Sequence, residues 1–334
     1  MRAAVFAGPG RLSIEDRPEP MVAAGEILVA VEACGICGTD VQILNTPPGH
    51  PATPGTILGH EFVGRVVATG DTVAGDIVIG QRVVVDPDPK CGACGPCRAG
   101  RPANCQNIVA LGIFRDGGLA AYVSAPFAAV YPIADHVPAE LATLVEPLAC
   151  VINGTGRAGV RPGESVIVFG AGAIGCLFTA VVKAAGAGRI IVVEPSATRR
   201  AVARQVGADE VVTPDEFAAD RVSLSPDGAD VVIDAVGSLL PAAIEAAAMG
   251  GRVVLFGMNA NARPAVPQVA ITEKGLSILG SYISNFTFPA AIRLAERGQL
   301  RLGPIISDVL SLDRVVDGID LLRSGQATKV VITP

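Results

Sequence analysis

The sequence predicts an α/β protein in which a β-rich first part is followed by a parallel sheet with alternating helices. In the first part, short β-branched runs at residues 27–31, 62–68 and 82–85 are separated by Gly, Pro and Asp, which is typical of short strands joined by turns. Beyond Pro147, continuous apolar strands alternate with Ala-rich helices. That alternation is typical of a parallel sheet covered by helices on both faces.

The elements can be predicted in order along the chain. Residues 46–56 contain four prolines and should form an exposed loop. The second part should begin with a strand, a glycine turn and a helix, and its second helix should end at Gly207. The predicted strands are residues 166–169, 190–193, 231–233, 253–256, 276–279 and 329–332, and the predicted later helices are residues 198–206, 289–297 and 312–322.

Composition excludes several classes of protein. The 334 residues suit two domains, and 50% apolar residues exclude intrinsic disorder as the main state. A net charge of −6 argues against a nucleic-acid surface. The uncharged segments 117–134 and 165–182 contain Pro or Gly and are interpreted as buried strands with turns, not as membrane spans. No signal-peptide pattern follows Met1, so a cytoplasmic location is expected.

Four closely spaced cysteines form the strongest local motif: Cys91, Cys94, Cys97 and Cys105. Glycines between them allow tight turns, so the four thiolates can converge on one tetrahedral Zn²⁺. In a reducing compartment such a cluster favours metal ligation over disulfides, although free buried thiols or an iron–sulfur cluster remain alternatives. Since four thiolates leave no open position on the metal, the predicted zinc is structural.

A glycine-rich turn follows the first strand of the second part. In Gly170-Ala171-Gly172-Ala173-Ile174-Gly175, the first glycine permits the turn, the second lets a pyrophosphate approach, and the third allows close helix packing. The helix N-terminus then offers free N–H groups to the phosphates. We therefore predict a dinucleotide site. Segments that follow the later strands supply the other expected cofactor contacts, namely Ala235, Val236, Phe256, Gly257 and Ser281.

Glu194 ends the second strand of this unit, nineteen residues after Gly175. A carboxylate here would accept hydrogen bonds from the adenosine ribose and would repel a 2′-phosphate. NAD is therefore expected rather than NADP. Arg199, predicted to contact the cofactor, and Arg200 lie close in sequence and would suit a phosphate, so NADP stays open as the less favoured cofactor.

Further metal-ligand candidates are dispersed along the chain: Cys37, His60 with Glu61, and Glu146. Sequence spacing alone does not join them. A lone Cys37 could equally be a buried thiol, and a lone His60 a hydrogen-bonded core residue.

Together, these motifs resemble the zinc-dependent medium-chain dehydrogenase/reductase family, and the similarity extends to the closing segment Ala327-Thr-Lys-Val-Val-Ile. The resemblance implies a GroES-like β-barrel catalytic domain at residues 1–149 and 286–334, with the structural zinc lobe at residues 90–106. It also implies a Rossmann NAD-binding domain, a doubly wound parallel sheet, at residues 150–285. A catalytic zinc would lie in the cleft between them, so two Zn²⁺ ions per chain are expected.

The resemblance also implies roles for individual residues. Cys37 and His60 should ligate the catalytic zinc, Glu61 and Glu146 should complete its ligand set, and Asp40 should hold the His60 ring. Thr39 should accept the alcohol proton. The implied reaction moves a hydride between the carbinol carbon of a secondary alcohol, polyol or vicinal diol and NAD, giving a ketone.

The details of the motifs indicate a branch of the family. Glu146 stands where classical alcohol dehydrogenases place a cysteine, and Gly38 follows Cys37, as in the sorbitol, polyol, butanediol and threonine dehydrogenases. Two features depart from many relatives: Gln42 replaces a relay histidine, and Ile283-Ser284 replaces an Arg-Tyr pair of sorbitol dehydrogenases. The residues expected in loops that line the cleft are Asn45, Ile113, Phe114 and Arg115.

The expected partner is a small alcohol or ketone, with no nucleic acid or membrane, and a homodimer or homotetramer should form through the edge strand at residues 276–283. An NADPH-dependent zinc carbonyl reductase is the alternative enzyme, and a catalytically silent binding protein is the alternative of another class. The remaining candidates are given structural interpretations: Cys34, Cys150 and Cys176 as core, His50 as exposed, His136 beside a turn, and Asp234 in contact with either cofactor or turn amides.

Overall fold

The computed structural model describes residues 1–73 and 75–334. Its strands are β1 (Arg2–Gly8), β2 (Arg11–Asp16), β3 (Glu26–Gly35), β4 (Glu61–Thr69), β5 (Arg82–Val85), β6 (Tyr122–Pro126), β7 (Val130–Pro132), β8 (Ser165–Phe169), β9 (Arg189–Val193), β10 (Glu210–Val212), β11 (Ala229–Asp234), β12 (Ala247–Leu255), β13 (Ser277–Gly280), β14 (Ile306–Ser311) and β15 (Lys329–Thr333). Its α-helices are α1 (Gly38–Ile43), α2 (Gly95–Arg98), α3 (Ala139–Ala142), α4 (Val145–Ala158), α5 (Ala173–Ala184), α6 (Ala197–Val206), α7 (Pro214–Leu224), α8 (Leu240–Ala246), α9 (Gln268–Lys274), α10 (Phe288–Glu296) and α11 (Val315–Arg323).

The second part of the chain forms a parallel sheet in the order β10-β9-β8-β11-β12-β13, with every pair parallel. The strand order reverses between β8 and β11, as in two mononucleotide-binding halves laid side by side. Apolar clusters cover both faces, one containing Val168 and Phe178 and the other Phe169 and Val232. The predicted doubly wound sheet is therefore confirmed, and its binding crevice lies at the carboxyl ends of these two strands.

The first part of the chain forms a largely antiparallel sheet in the order β14-β15-β3-β4-β5-β7, with β6 also paired to β3. The last strand, β15, joins this sheet by pairing Val331 with Gly35 and Ile332 with Cys34. Phe62, Val66 and Val330 are buried in the core of this part. The end of the chain thus packs against the segment that leads into Cys37.

Most predicted elements are present, with boundaries within a few residues, and α6 ends at Gly207 as expected. The prediction for residues 312–322 was wrong at its start, because a 3₁₀ turn (Leu312–Arg314) precedes α11. The hairpin β1–β2, strand β14 and helix α7 are among the elements that were not predicted from the sequence. None of these contributes to the cleft described below.

Helix α4 carries both Glu146 and Cys150. The predicted domain boundary between residues 149 and 150 lies inside this helix, and the boundary itself stays a prediction. Within the described residues, no helix combines the length and the apolar character needed to span a bilayer. The segment 165–182 forms β8, the glycine turn and most of α5.

Candidate active site

Cys37, His60 and Glu61 form the centre of the site, where one ligand atom from each lies within 4.8 Å of the others. Cys37 is the N-cap of α1, and His60 with Glu61 leads into β4. The Cys37 thiol accepts a hydrogen bond from the Thr39 N–H at 3.4 Å, and Asp40 Oδ2 accepts one from the Cys37 N–H at 2.8 Å. This capping arrangement fixes the Cys37 thiol at the N-terminal end of the short helix α1.

Asp40 and His60 face each other in the interior. His60 Nδ1 lies 3.7 Å from Asp40 Oδ1, and neither atom has a hydrogen-bond partner within the described chain. Because Nδ1 faces Asp40, Nε2 is the ring nitrogen that remains for a ligand in the cleft. The geometry agrees with the prediction that Asp40 holds the His60 ring.

The charges of this cluster depend on one another. Burial raises the pKa of the Cys37 thiol, but the charge and hydrogen bond of His60 lower it to about 7. Burial lowers the pKa of His60, but the charges of Cys37 and Asp40 raise it to about 10. Buried groups that stabilise each other's charged forms in this way are concentrated at functional sites.

Glu146 lines the same cleft from the first turn of α4. It lies outside the group of three ligand atoms that converge within 4.8 Å. Burial raises the pKa of Glu146 to about 8, and the charge of His60 opposes that rise. The Cys150 thiol donates a hydrogen bond to Glu146 Oε1 at 3.3 Å. Cys150 is buried as predicted, but its contact with Glu146 and its position in the cleft were missed.

The donor set at this centre fits Zn²⁺. A thiolate, an imidazole and carboxylates are the ligands that zinc takes at sites with an open position, whereas magnesium or calcium would require oxygen ligands alone. The position of Asp40 beside His60 Nδ1 resembles the carboxylate–histidine arrangement common behind zinc ligands, and the role of Asp40 stays a prediction. Glu61 also forms a buried ion pair with Lys329, which holds its carboxylate beside this centre.

The second cysteine group is also assembled, because the thiols of Cys91, Cys94, Cys97 and Cys105 lie within 4.8 Å of one another. Backbone N–H groups point at the sulfurs, from Cys91 to Cys105 and from Cys94 to Cys91, each at 3.4 Å. None of the described cysteines forms a disulfide. Converging thiols that accept N–H hydrogen bonds fit a structural tetrathiolate zinc.

The glycine turn connects β8 to α5. Gly170 has a φ of +91°, which only glycine adopts readily, and a Cβ on Gly175 would collide with the Gly170 carbonyl. Gly172 is the N-cap of α5, and no side chain caps the helix there. A Cβ on Gly172 would meet nothing within 4 Å, so the space above this helix N-terminus is open to a phosphate.

Glu194 lies beside this turn and is 4% exposed. Its two carboxylate oxygens accept hydrogen bonds from the Ala171 N–H at 2.7 Å and the Ser196 N–H at 2.8 Å. Arg199 is turned away, because its guanidinium donates to the carbonyls of Leu322 and Ala327. Arg200 donates to the Glu194 carbonyl at 3.0 Å.

The other expected cofactor residues follow the carboxyl ends of the parallel strands, at the mouth of the same cleft. The cleft-lining residues among them are Ile174, Ala235, Val236, Phe256, Gly257 and Ser281. The Ser281 hydroxyl is buried without a hydrogen-bond partner in the part of the chain described, which suits a bound ligand. Asp234 accepts hydrogen bonds from the N–H groups of Val236, Gly237 and Leu239, so it satisfies turn amides.

Several expectations about the cleft wall need correction. Ile113 and Phe114 line the cleft, but Arg115 pairs with Glu26 away from it. Asn45 is also absent from the described cleft lining; its amide donates to Gln42, which does line the cleft. His50 is half-buried in the cleft wall, not exposed, because its proline-rich loop folds over the site. Burial lowers its pKa.

Two ionisable residues at the site, Lys329 and Asp88, were not predicted from the sequence. Lys329 is a lysine within the apolar closing strand, a pattern that indicates a buried cation with a partner. Asp88 sits in an Asp-Pro-Asp segment that reads as an exposed turn, and only the fold shows that it is 7% exposed and lines the cleft.

Comparisons with known proteins agree with this geometry. Family models match for the alcohol dehydrogenase GroES-like domain over residues 23–135 and for zinc-binding dehydrogenase over residues 173–297. D-arabinitol dehydrogenase 1 of Uromyces fabae is 30% identical, over 100% of this chain and 97% of that protein. L-threonine 3-dehydrogenase of Pyrococcus abyssi is 37% identical, over 95% and 92%. The structure of a zinc-binding dehydrogenase from Sinorhizobium meliloti 1021 bound to NADP has a TM-score of 0.93 and 35% identity, covering 100% and 99%.

Proposed function

The chain belongs to the family of zinc-dependent medium-chain dehydrogenases and reductases, and we propose that it oxidises a secondary alcohol, polyol or vicinal diol to a ketone with NAD. One observation carries the proposal: the Cys37–His60–Glu61 cluster and the carboxyl ends of the parallel strands open into the same cleft. A carbinol carbon held at the cluster therefore lies on the side from which a nicotinamide ring would reach it.

The proposed catalytic metal is held by Cys37, His60 and one or both of Glu61 and Glu146. When bound, Zn²⁺ supplies Lewis acidity, which lowers the pKa of an alcohol and polarises a carbonyl. Asp40 keeps the His60 ring oriented, and the Cys150 thiol restrains Glu146 through its hydrogen bond. The proposed metal ligands still line the cleft while these contacts are made, so a substrate can reach them there.

Thr39 is the proposed proton acceptor. It lines the cleft beside Cys37, and no described residue hydrogen-bonds its hydroxyl. A hydroxyl can accept the alcohol proton while it donates its own to the next group, so Thr39 would pass the proton towards the cofactor ribose and solvent. Gln42 carries no titratable group, so the relay we propose runs through Thr39.

The cofactor is proposed to bind along the glycine turn, with its phosphates over Gly172 and the α5 N-terminus and its adenosine ribose at Glu194. The buried carboxylate of Glu194 favours NAD because it would repel a 2′-phosphate. Arg200 beside Glu194 is the feature that could favour NADP, and the Sinorhizobium meliloti relative is bound to NADP. Arg199 would contact the cofactor only after it leaves the carbonyls of Leu322 and Ala327.

A second, structural Zn²⁺ is proposed at the four-cysteine lobe, which gives two zinc ions per chain. We further propose that residues 1–149 and 286–334 form the catalytic domain around a cofactor domain at residues 150–285, a division supported by the pairing of β15 with β3. The described cysteines are free thiols, which is consistent with the proposed location in a reducing cytoplasm.

The homo-oligomer is proposed to form through β13, the edge strand of the parallel sheet. An edge strand presents unpaired N–H and C=O groups that a second copy can complete. Light scattering after size-exclusion chromatography should give a dimer or tetramer, and a monomer at micromolar concentration would contradict this assignment.

The test of the proposed function is a panel of diols, polyols and amino alcohols, assayed with NAD and with NADP and accompanied by zinc analysis. Turnover of a secondary alcohol with NAD and two zinc ions per chain would support the proposal. Tighter binding of NADPH than NADH, with activity mainly on ketones, would favour a carbonyl reductase. Absence of turnover in zinc-loaded protein across the panel would favour a silent binding protein.

A further inference from the structure

Asp88 is a buried carboxylate that has no role in the metal binding, proton transfer or cofactor binding proposed above. It follows β5 on the way to the four-cysteine lobe, lines the cleft, and is 7% exposed. Its N–H donates to Asp86 Oδ1 at 3.1 Å, but neither of its carboxylate oxygens makes a hydrogen bond to any described residue. Neither oxygen is fully enclosed, so the carboxylate is accessible from the cleft that Asp88 lines.

Lys90 is paired with Asp86 and not with Asp88. It forms an ion pair with Asp86 at 2.8 Å, and the Ser284 hydroxyl also donates to Asp86 Oδ2 at 3.1 Å. The Asp86 carboxylate is therefore satisfied, whereas that of Asp88 has no described partner. Burial raises the pKa of Asp88 to about 6, although the charges of Lys90 and His60 oppose that rise. Buried carboxylates without partners are costly, so a hydrogen-bond donor on a ligand would be favoured at this place.

The rest of the cleft limits what that ligand can be. No Lys or Arg is among the described residues that line it, whereas Glu61, Glu146 and Asp88 are. A substrate carboxylate would meet these acidic groups without a Lys or Arg side chain to pair with. The lining also includes the apolar residues Ile108, Ile113 and Phe114. The cleft therefore fits an uncharged molecule that carries hydrogen-bond donors.

We propose that Asp88 is the residue that determines specificity for polyols, by accepting a hydrogen bond from a hydroxyl on a carbon beyond the reacting one. This inference rests on the proposed dehydrogenase function and names its substrate class. Uncharged polyols are preferred over monohydroxy alcohols, which have no donor for Asp88. Hydroxy acids and β-hydroxy amino acids are disfavoured because no Lys or Arg lines the described cleft to pair with their carboxylate.

The test compares zinc-loaded wild type with Asp88→Ala and Asp88→Asn on xylitol, D-arabinitol and 2-butanol. A hydrogen bond to a charged group accounts for about a tenfold to hundredfold change in binding. For the better pentitol, kcat/KM should therefore fall at least about tenfold in Asp88→Ala, mainly through KM. The Asn variant keeps one acceptor oxygen and should lose less. For 2-butanol, kcat/KM should stay within about twofold of the wild-type value in both variants.

Two controls separate the possible failures. Asp135→Ala removes an exposed acid that is absent from the cleft lining. It should leave kcat/KM unchanged for all three substrates. Thermal-shift titration of the cofactor-loaded protein with the pentitol reports binding without turnover, and should show a weaker response in Asp88→Ala than in wild type. If wild type oxidises no alcohol, the proposed dehydrogenase function fails. If it oxidises them and Asp88→Ala lowers all three equally or none, only the inference about Asp88 fails.

Two further substrates test the charge argument. L-Threonine should be oxidised at least about tenfold less efficiently than the pentitol, because no Lys or Arg lines the described cleft to pair with its carboxylate. Efficient oxidation of L-threonine would overturn the exclusion of acids. A clear preference for 1-amino-2-propanol over the pentitols would assign Asp88 to an ammonium and overturn the polyol assignment.

Discussion

Lys329 forms a buried ion pair with Glu61, directly beside the Cys37–His60 pair. Both residues are 1% exposed, although 268 positions separate them in the sequence. Burial lowers the pKa of Lys329, and the charges of Cys37 and Asp40 oppose that shift. The last strand therefore carries the cation that pairs with Glu61 in the metal-free protein. This ion pair links strand β15 to the proposed catalytic centre.

Replacing this lysine should destabilise the protein and change the metal centre. In Lys329→Met, Glu61 stays buried without its partner, and removing one member of a buried ion pair costs on the order of 3 kcal/mol. The free energy of unfolding, measured by urea denaturation, should fall by about that amount in the metal-free protein. With zinc bound, the loss should be smaller because Glu61 can turn to the metal.

The matched control is the double variant Glu61→Gln with Lys329→Met, which removes both charges. It should recover much of the stability lost in Lys329→Met alone, because no unpaired charge remains buried. Two results would contradict this role of the Glu61–Lys329 ion pair. One is a loss of unfolding free energy in Lys329→Met no larger than that of an ordinary surface substitution. The other is an equal loss with and without zinc.

Cys37→Ser should abolish turnover while it leaves the fold and cofactor binding nearly intact. Serine is a poor zinc ligand, and Cys37 lies at the end of a short helix, where the change creates no core cavity. Zinc content should fall by one ion per chain, and NADH fluorescence titration should be unchanged. Cys176→Ser, a buried thiol outside both clusters, should keep activity. An active Cys37→Ser variant would remove the catalytic-zinc assignment.

Cys94→Ser should lower stability without a direct effect on chemistry. The four-cysteine lobe has no apolar core of its own, and none of the residues of α2 is buried, so metal ligation should hold it together. The melting temperature should fall by at least about 4 °C, with kcat at low temperature retained. Chelation of both zinc ions from wild type should lower the melting temperature by at least as much, and an unchanged melting temperature in Cys94→Ser would contradict a structural zinc there.

Thr39→Ala should slow the step that depends on proton transfer. A positioned acid or base contributes roughly a hundredfold to such steps, so kcat should drop by about that factor and its pH dependence should change shape. Thr39→Ser restores the hydroxyl and should recover most of the rate. A pH–rate profile identical to that of wild type in Thr39→Ala would place the proton relay elsewhere.

The sequence predicted the parallel sheet and the glycine turn well because both depend on local signals. Gly170 and Gly175 are required by the backbone itself, and short apolar runs such as that of β9 are typical of buried parallel strands. The four-cysteine lobe is likewise a local motif. Its thiols converge in the structure as their spacing predicts.

The composition of the cleft could not be predicted in the same way. Asp88 lies in a turn-like segment, and its burial is evident only in the folded chain. Lys329 reaches Glu61 because β15 pairs with β3, a contact between the two ends of the chain that no local pattern encodes. His50 differs from its predicted exposure for the same reason, since its loop is positioned by distant elements.

Glu194→Gln should shift cofactor preference from NAD towards NADP. The change removes the negative charge that repels a 2′-phosphate and weakens the acceptor for ribose hydroxyls, so Kd for NAD should rise about tenfold while Kd for NADP falls. The carboxylate also holds the N–H groups of Ala171 and Ser196, and glutamine can accept only one of these bonds. Distortion of the turn would weaken both cofactors alike, because both bind it through the same pyrophosphate. The ratio of the two Kd values therefore isolates the charge effect, and an unchanged ratio would remove Glu194 from the ribose site.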